Sequence, residues 1–483
     1  MADILDQEVR SYIDSVKTEL QKAINAGYGY AGAPGGFSGS TVLQQEDLDT
    51  TMRSITVDMK AIKLWNQLSS SATNSLIHQY SRKVALGPQN NNPYTTETGI
   101  ADESDSKYVR VMEFIRFFSK TRKYSVIATK VDMIEDPEQI QINDGTSELI
   151  KDLERELYFG LSQFMNKSTG NITASLSDLP RDTIEMRGIW SHMVDADNDV
   201  NHYSGDMLGY GEERSCILDM EGSTLSQSVI EDMAVIALEN FGMPNVIHSH
   251  ARAISQLVKS MYSIARTEPG LTNQTIGYSV SSMATSAGNV RLETNIFLMP
   301  LTTITPSQNY SSPSTAGVTA VASAVVCPDT DPKRGTKLSA GAYKYVLHLV
   351  SNEGYVSQPI VVAPVTVAAG EEVRIALTGL PSNIRSVKVS RSAAGGARAF
   401  FVGNFAVIPV NDTVVDRGHL LPQTSSAFLL QLDAQCMTWK SLMPLTKIAL
   451  AQVDHSKKFS LLLAGALIMY TPRFNSLFIN LGA

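Results

Sequence analysis

The spacing of apolar positions changes several times along the chain, and each change marks an element. Ile4, Leu5, Val9, Tyr12, Ile13, Val16, Leu20 and Ile24 fall at helical spacing before Gly27 and predict a first helix over 4–25. From Leu43 to Lys83 the apolar residues Leu48, Met52, Ile55, Met59, Leu64 and Trp65 keep no clean period, as expected of an extended arm with short helical pieces. Residues 84–106 are polar and turn-rich, with Gly87-Pro88 and Asn92-Pro93. Tyr108–Val131 then reads as β over a length unusual for one strand. Together these segments predict a long two-stranded tongue over 84–131.

A leucine stripe follows. Leu149, Leu153, Leu157, Leu161 and Phe164 predict a helix over Ser147–Asn166, capped by Thr146 or Ser147 and ended by Lys167 and Gly170. A second helix is expected over about 225–241, opened by a Thr224/Gln227 capping box and stopped by Gly242 and Pro244. A strand at Val246 and Ile247 and a helix over about His250–Tyr262 complete an α/β body. Residues 313–427 differ in texture: short β runs at 318–326, 343–351, 359–367, 372–377, 387–391 and 400–407 alternate with Gly, Pro, Asn and Asp. Short strands so closely spaced predict an antiparallel sandwich. Body-like sequence resumes at Phe428, so the sandwich reads as an insertion.

Charge adds a second pattern. Lys107–Lys130 holds seven basic residues against the single acid Glu113, and Asp132–Glu156 holds nine acids against Lys151 and Arg155. Adjacent blocks of opposite sign cancel either within one fold or between identical copies, and the second option makes the chain a candidate for self-assembly. Arg110, Arg116, Lys120 and Arg122 on one side, and Glu135, Glu138 and Asp152 on the other, are the candidate subunit-interface residues. The tongue interleaves Tyr108, Phe114, Phe117, Phe118 and Tyr124 with its cations, which is also the texture of a single-strand nucleic-acid platform. A net charge of −8 disfavours that use.

With 483 residues, 43% hydrophobic and 18% charged, the chain has the composition of a globular protein of two or three domains. Cys216, Cys327 and Cys436 are odd in number and widely spaced, so buried reduced thiols are expected. Neither a signal peptide nor a membrane span is expected.

The motifs that carry chemistry are weak. Gly27, Gly29 and Gly32 form a formal G-x-G-x-x-G, but they follow a helix rather than a strand, so a flexible linker is expected. Asp195, Asp197, Asp199 and Asp206 match an EF-hand loop in part, yet Val200 stands where the turn needs Gly; an acidic surface loop is expected. His248 and His250 give only a partial zinc set and read as a strand-to-helix turn. With no nucleophile elbow, P-loop, zincin or C-x-x-C motif, neither an enzyme nor a cofactor is expected.

The order of elements resembles the major capsid proteins of tailed bacteriophages, the HK97-like fold. Leu43-Gln-Gln-Glu-Asp-Leu48-Asp-Thr-Thr-Met52, Lys63-Leu-Trp65 and Ser75-Leu-Ile-His-Gln-Tyr80 are similar to the arm entering the tongue in that family, and Met283–Leu292 to its Gly-containing turn. The resemblance implies an α+β fold with 1–83 as N-terminal helix, linker and arm, 84–131 as E-loop, a spine helix over 146–167, and peripheral and axial domains in 132–310 and 428–483. It also implies a homo-oligomeric shell of hexamers and pentamers around phage DNA held without sequence-specific binding. Decoration, scaffolding and portal proteins would be partners, and assembly would take place in the host cytoplasm, away from membranes. Residues 311–427, with Tyr343–Gly354 and Val387–Arg391, resemble an immunoglobulin-like or fibronectin type III module. The family's Lys–Asn crosslink has Lys107, Lys120, Lys123, Asn475 and Asn480 available here, but no motif selects a pair. The alternatives are an encapsulin-like compartment shell and a β-sandwich adhesin or carbohydrate-binding protein.

Overall fold

Leu149, Leu153 and Leu157 are buried on a helix that runs Pro137–Phe159, where they meet Phe428, Trp439, Phe459 and Leu463. This is a computed structural model, and it describes residues 59–85, 94–100, 105–130, 136–160, 164–170, 185–198, 215–261, 280–298, 303–307, 312–330, 335–452 and 455–482, with Ser11, Asp14, Ser15 and Glu103. By internal contacts the chain divides into two units, Met1–Thr56 with Asp132–Asp136, and Val57–Val131 with Pro137–Ala483. The elements below belong to the second. Most of the expected 4–25 helix, the Gly27–Gly32 segment and Glu135 lie outside the described residues.

The long helix starts ten residues earlier than the leucine stripe suggests, with Pro137 at its first position and Glu138 in its first turn, both favourable there. Asp144-Gly145-Thr146 is therefore helix interior and not a cap. Gly145 is needed for close packing: a Cβ there would lie 2.8 Å from Leu461 Cδ1 and 3.2 Å from Arg122 Cγ. The helix ends at Phe159 because Gly160, at φ +31°, sits where a Cβ would come within 2.3 Å of the Met186 carbonyl. Phe164 and Met165 form a short strand and not a last helical turn.

Two sheets build the body. A four-stranded sheet runs in the order Ser70–Ala72, Met437–Ala449, Ser456–Met469 and Arg116–Ser125. A six-stranded sheet has the order Ile217–Asp219, Ser476–Leu481, Ser425–Leu430, Val246–Ser249, Gly288–Thr294 and Ser282–Thr285. The helices Gln227–Glu239 and Ala251–Met261 pack on the second sheet through Ile230, Met233, Ala253 and Leu257. The cap of the first of these helices is Ser226, whose Oγ accepts from Val229 N at 3.4 Å, and not Thr224; buried Leu225 fixes the chain's approach. His248 lies within the strand Val246–Ser249 and His250 stands between it and the helix Ala251–Met261, so the pair spans a strand-to-helix turn.

Of the acidic stretch, Asp195 and Asp197 are helical and not in a surface loop, while Asp199, Val200 and Asp206 lie outside the described residues. Ile189, Trp190, Met193 and Val194 form an i, i+1, i+4, i+5 stripe on a helix over Ile189–Asn198, and Ser191, His192 and Ala196 are buried as well, so most of the helix is enclosed.

Between Thr319 and Asp416 the strands have their own apolar cluster, including Tyr345, Leu347, Ile375, Val389 and Phe405. Three of them form one sheet (Thr319–Val326, Glu371–Leu380, Val410–Asp416). Four others join a five-stranded sheet whose fifth member is the distant strand Phe164–Met165, parallel to Ala399–Ala406. Met165 is buried in this cluster, and Lys167 Nζ reaches Asp412 at 2.9 Å. Not all of this core is apolar. Arg391 Nη1 lies 2.7 and 2.6 Å from the two oxygens of Asp416, and the Tyr345 hydroxyl donates to the same carboxylate at 3.0 Å.

No helix among the described residues is long and apolar enough to cross a membrane.

Candidate assembly surface

The basic segment divides at Ile115, which is 4% exposed and packs with Ala464, Ala466 and Ile468. Before it, Lys107–Phe114 pairs antiparallel with Ile77–Ala85 as a two-stranded ribbon. After it, Arg116–Ser125 pairs with Ser456–Met469 and is part of the body. The ladder of the ribbon is thus shorter than a tongue reaching Val131. The Ile115 amide donates to the Leu76 carbonyl at 2.9 Å, so the switch is made at one residue.

Alternate side chains of Arg116–Ser125 face the long helix. Lys120 Nζ lies 3.1 Å from Glu148 and 2.7 Å from Asp152, and Arg122 also pairs with Glu148. Partial burial works against the charge on Lys120, but its bonds to Asp152 and Glu148 outweigh that and hold the ammonium above the ordinary lysine value. Glu138 pairs with Lys447 and accepts from the Tyr124 hydroxyl at 2.6 Å; the bond from Lys447, then that from Tyr124, holds its carboxyl below the usual range. Lys120, Arg122, Glu138, Glu148 and Asp152 therefore have partners inside one chain.

The ribbon is docked by one edge of its chemistry and open on its other face. The Tyr80 hydroxyl donates to the Met469 carbonyl at 3.2 Å and Arg82 Nε to the Tyr470 carbonyl at 2.8 Å. Glu113, 6% exposed, receives Arg187 Nη1 at 2.8 Å, while Arg187 Nη2 reaches Asp195 at 3.0 Å. Burial pushes the Glu113 carboxyl up, and Arg187 opposes it. On the open face Tyr108, Met112 and Phe114 are 63%, 55% and 52% exposed, and Phe117 beyond Ile115 is 60% exposed. Arg110 stands exposed among them. Arg116 lies over the Phe114 ring at 5.6 Å.

A buried polar network went unread in the sequence. Glu154, on the helix face with Leu157 and Tyr158, is fully buried and caps the short helix Leu64–Gln67: Lys63 N and Leu64 N donate to one oxygen at 3.1 and 2.9 Å, Trp65 N to the other at 2.9 Å. Asn295 Nδ2 donates to Glu154 at 2.8 Å and to Tyr158 at 3.1 Å, and the Tyr158 hydroxyl contacts His248 Nδ1 at 2.5 Å. Burial depresses His248 to about 4 against the pull of Glu293, so it is neutral at pH 7. An acid one residue after Leu153 in the leucine stripe and four before Tyr158 was the available signal, although Lys151, three residues earlier, also offered it an ordinary helical ion pair. Asn475 and Asn480 are likewise buried, their carboxamides bonded within the chain.

The chain's relatives fit a protein built of packing and docking surfaces. The SU10 major capsid protein family model matches residues 35–313. This chain belongs to that family. It is 22% identical over 486 residues to the major capsid protein of Staphylococcus phage K and, equally, to that of Staphylococcus phage S25-3, covering 96% of this chain and 95% of each relative. Among solved structures, the capsid of Myoviridae phage XM1 gives a TM-score of 0.42 at 6% identity over 94% of this chain and all of the other. Mycobacterium phage Adephagia gives 0.42 at 7% identity over 91% and 92%. The assignment rests on the sequence matches and not on these superpositions. As a major capsid protein the chain is a structural subunit of a phage shell, and its ribbon, sheets and ion pairs are parts of that subunit. Its three cysteines are all buried and unbridged.

Proposed function

We propose that this capsid subunit assembles with copies of itself into an icosahedral head of hexamers and pentamers enclosing phage DNA, on an HK97-like plan in which the 77–114 ribbon is the E-loop laid on a neighbouring subunit. The observation that carries this reading is the ribbon's open face, where Tyr108, Met112 and Phe114 surround Arg110. An exposed apolar patch on a protein that must self-associate marks an interaction surface. Lys120 and Arg122 already have partners within the chain, so Arg110 and Arg116 are the cations we assign to a neighbour's acidic surface. The strands of 319–416 are read as an immunoglobulin-like module on the outside of the shell, where decoration proteins would meet it. Scaffolding and portal proteins would be further partners, with assembly in the host cytoplasm.

The test is imaging and sedimentation of the full chain and of a Met112→Asp/Phe114→Asp variant. The variant should keep the circular dichroism and melting temperature of the wild-type chain and lose particles. Particles at wild-type yield would sink the ribbon as an interface.

A further inference from the structure

The strand Thr319–Val326 lies at the edge of its three-stranded sheet, and no strand among the described residues pairs with its outer side. Its sequence, Thr-Ala-Val-Ala-Ser-Ala-Val-Val, has no charge and no proline, and its ladder with Glu371–Leu380 has no bulge. Those are the devices by which proteins keep an open edge from pairing. Val321 and Val326 are 64% and 72% exposed. An open, flat edge of this kind is a template for another strand.

The geometry also says which strand. Cys327 N donates to the Gly370 carbonyl at 3.0 Å, which makes that pair hydrogen-bonded. By the alternation of an antiparallel ladder, Val325, Ser323 and Val321 then direct their backbone groups into the sheet, and Val326, Ala324, Ala322 and Ala320 direct theirs outward. The sequence is nearly symmetric about Ser323. Turned over on a two-fold axis there, Ala322 meets Ala324 of a second copy and Ala320 meets Val326, so outward groups face outward groups. Val321 falls opposite Val325 twice over, a favourable cross-strand pair. Ala320, Ala322 and Ala324, packed against the module's core, would continue that face across the junction. A slip of one residue sets outward groups against inward ones, and a slip of two sets valine against serine.

We infer that Thr319–Val326 is a self-complementary edge by which two copies of this chain pair antiparallel about Ser323, joining their three-stranded sheets into one. This rests on the reading that the chain associates with itself, and adds a second contact independent of the ribbon.

Disulfide trapping in the full chain tests it. In this register Ser323 faces its own copy in a non-hydrogen-bonded pair, with Cα atoms about 4.5 Å apart, within disulfide range. Ser323→Cys should give a covalent dimer on mild oxidation. Val326→Cys, more exposed than its neighbours, should give none, because the two copies of that position are roughly 20 Å apart along the strands. Adding Val321→Lys to Ser323→Cys should abolish the dimer. Imaging the same samples separates the two readings: a dimer without particles supports strand pairing and counts against the shell, and particles without a dimer overturn the pairing alone. Equal crosslinking at positions 323 and 326 would mean random collision and would also overturn it.

Discussion

The two halves of the basic segment, Lys107–Phe114 and Arg116–Ser125, look alike in sequence and are used in opposite ways. Both alternate cations with aromatics. In the second half the strand pairs with Ser456–Met469, and its cations are met by Glu148 and Asp152 on the long helix. In the first half the strand pairs, among the described residues, only with Ile77–Ala85 and leaves Tyr108, Arg110, Met112 and Phe114 to solvent. The charge block thus cancels within one fold where a helix lies beside it, and stays open where none does. Composition names the groups that need partners; the sheet to which each strand belongs decides where they are found.

The change expected to disturb this contrast most is at the residue that separates the halves. Ile115→Asp should leave the chain insoluble or unfolded, because the site is buried among Ala464, Ala466 and Ile468 and offers a carboxylate no partner. Ile115→Ala should cost about 2 to 4 kcal/mol by chemical denaturation, as for other buried isoleucines. Wild-type stability for either would mean that the ribbon and body strand are not divided there.

Next is the buried tie at the base of the ribbon. Arg187→Ala strands Glu113, and removing one partner of a buried pair costs about 3 kcal/mol. Hydrogen exchange should rise in 107–114 and change little in 116–125. A uniform rise would show that the halves are one cooperative unit.

Acid separates the ribbon base from the body network by sign. His248 has a folded value of about 4 against 6.5 in the unfolded chain, so its contribution is fully present above pH 6.5 and is lost as pH falls toward 4, by up to about 3 kcal/mol. Glu113 is raised, so its contribution is present at low pH and lost as pH rises through its folded value. Denaturation between pH 7 and 4 should therefore show falling stability whose slope becomes shallower in His248→Gln, the remainder belonging to groups such as the fully buried His192, which burial depresses in the same sense. The wild-type slope persisting in that variant would remove His248 as its source.

The smallest effect compares cations across the divide. Lys120→Glu with Arg122→Glu should cost on the order of 1 kcal/mol, since these pairs are partly exposed, and Glu148→Lys with Asp152→Lys should restore most of it. Arg110→Glu should leave the melting temperature unchanged and slow assembly, more so at low salt. A stability loss from Arg110→Glu as large as that of the body pair would erase the distinction.

Several features were legible in the chain because they depend on local period. The leucine stripe, the helices before Gly242 and after His250, the strand runs between 318 and 407, and the capsid resemblance carried by element order all rest on spacing that neighbouring residues fix. The long helix starts ten residues before the Thr146 or Ser147 cap that the leucine stripe suggests, and Gly145 in its interior lies close against Leu461 and Arg122, a contact that spacing does not show. The acids at 195 and 197 read as a surface loop from their partial EF-hand spacing, whereas Ile189, Trp190, Met193 and Val194 before them carry a helix. The 319–416 strands were expected to close on themselves, yet Phe164–Met165, some 240 residues earlier in the chain than the strand it pairs with, adds a strand and a buried methionine. A two-residue strand has no period to read.

By itself, then, the sequence determined the longer periodic segments, where the charges stand, and what family the chain belongs to. Tertiary structure alone decided that Glu154 caps a helix 90 residues away, that Lys120 finds Asp152, and that the strand breaks its allegiance at Ile115. The physical reason is range. Backbone periodicity is set over a few residues, but a hydrogen-bond or ion-pair partner is chosen by whichever chain segment the packed core brings within about 3 Å, and no local pattern encodes that choice.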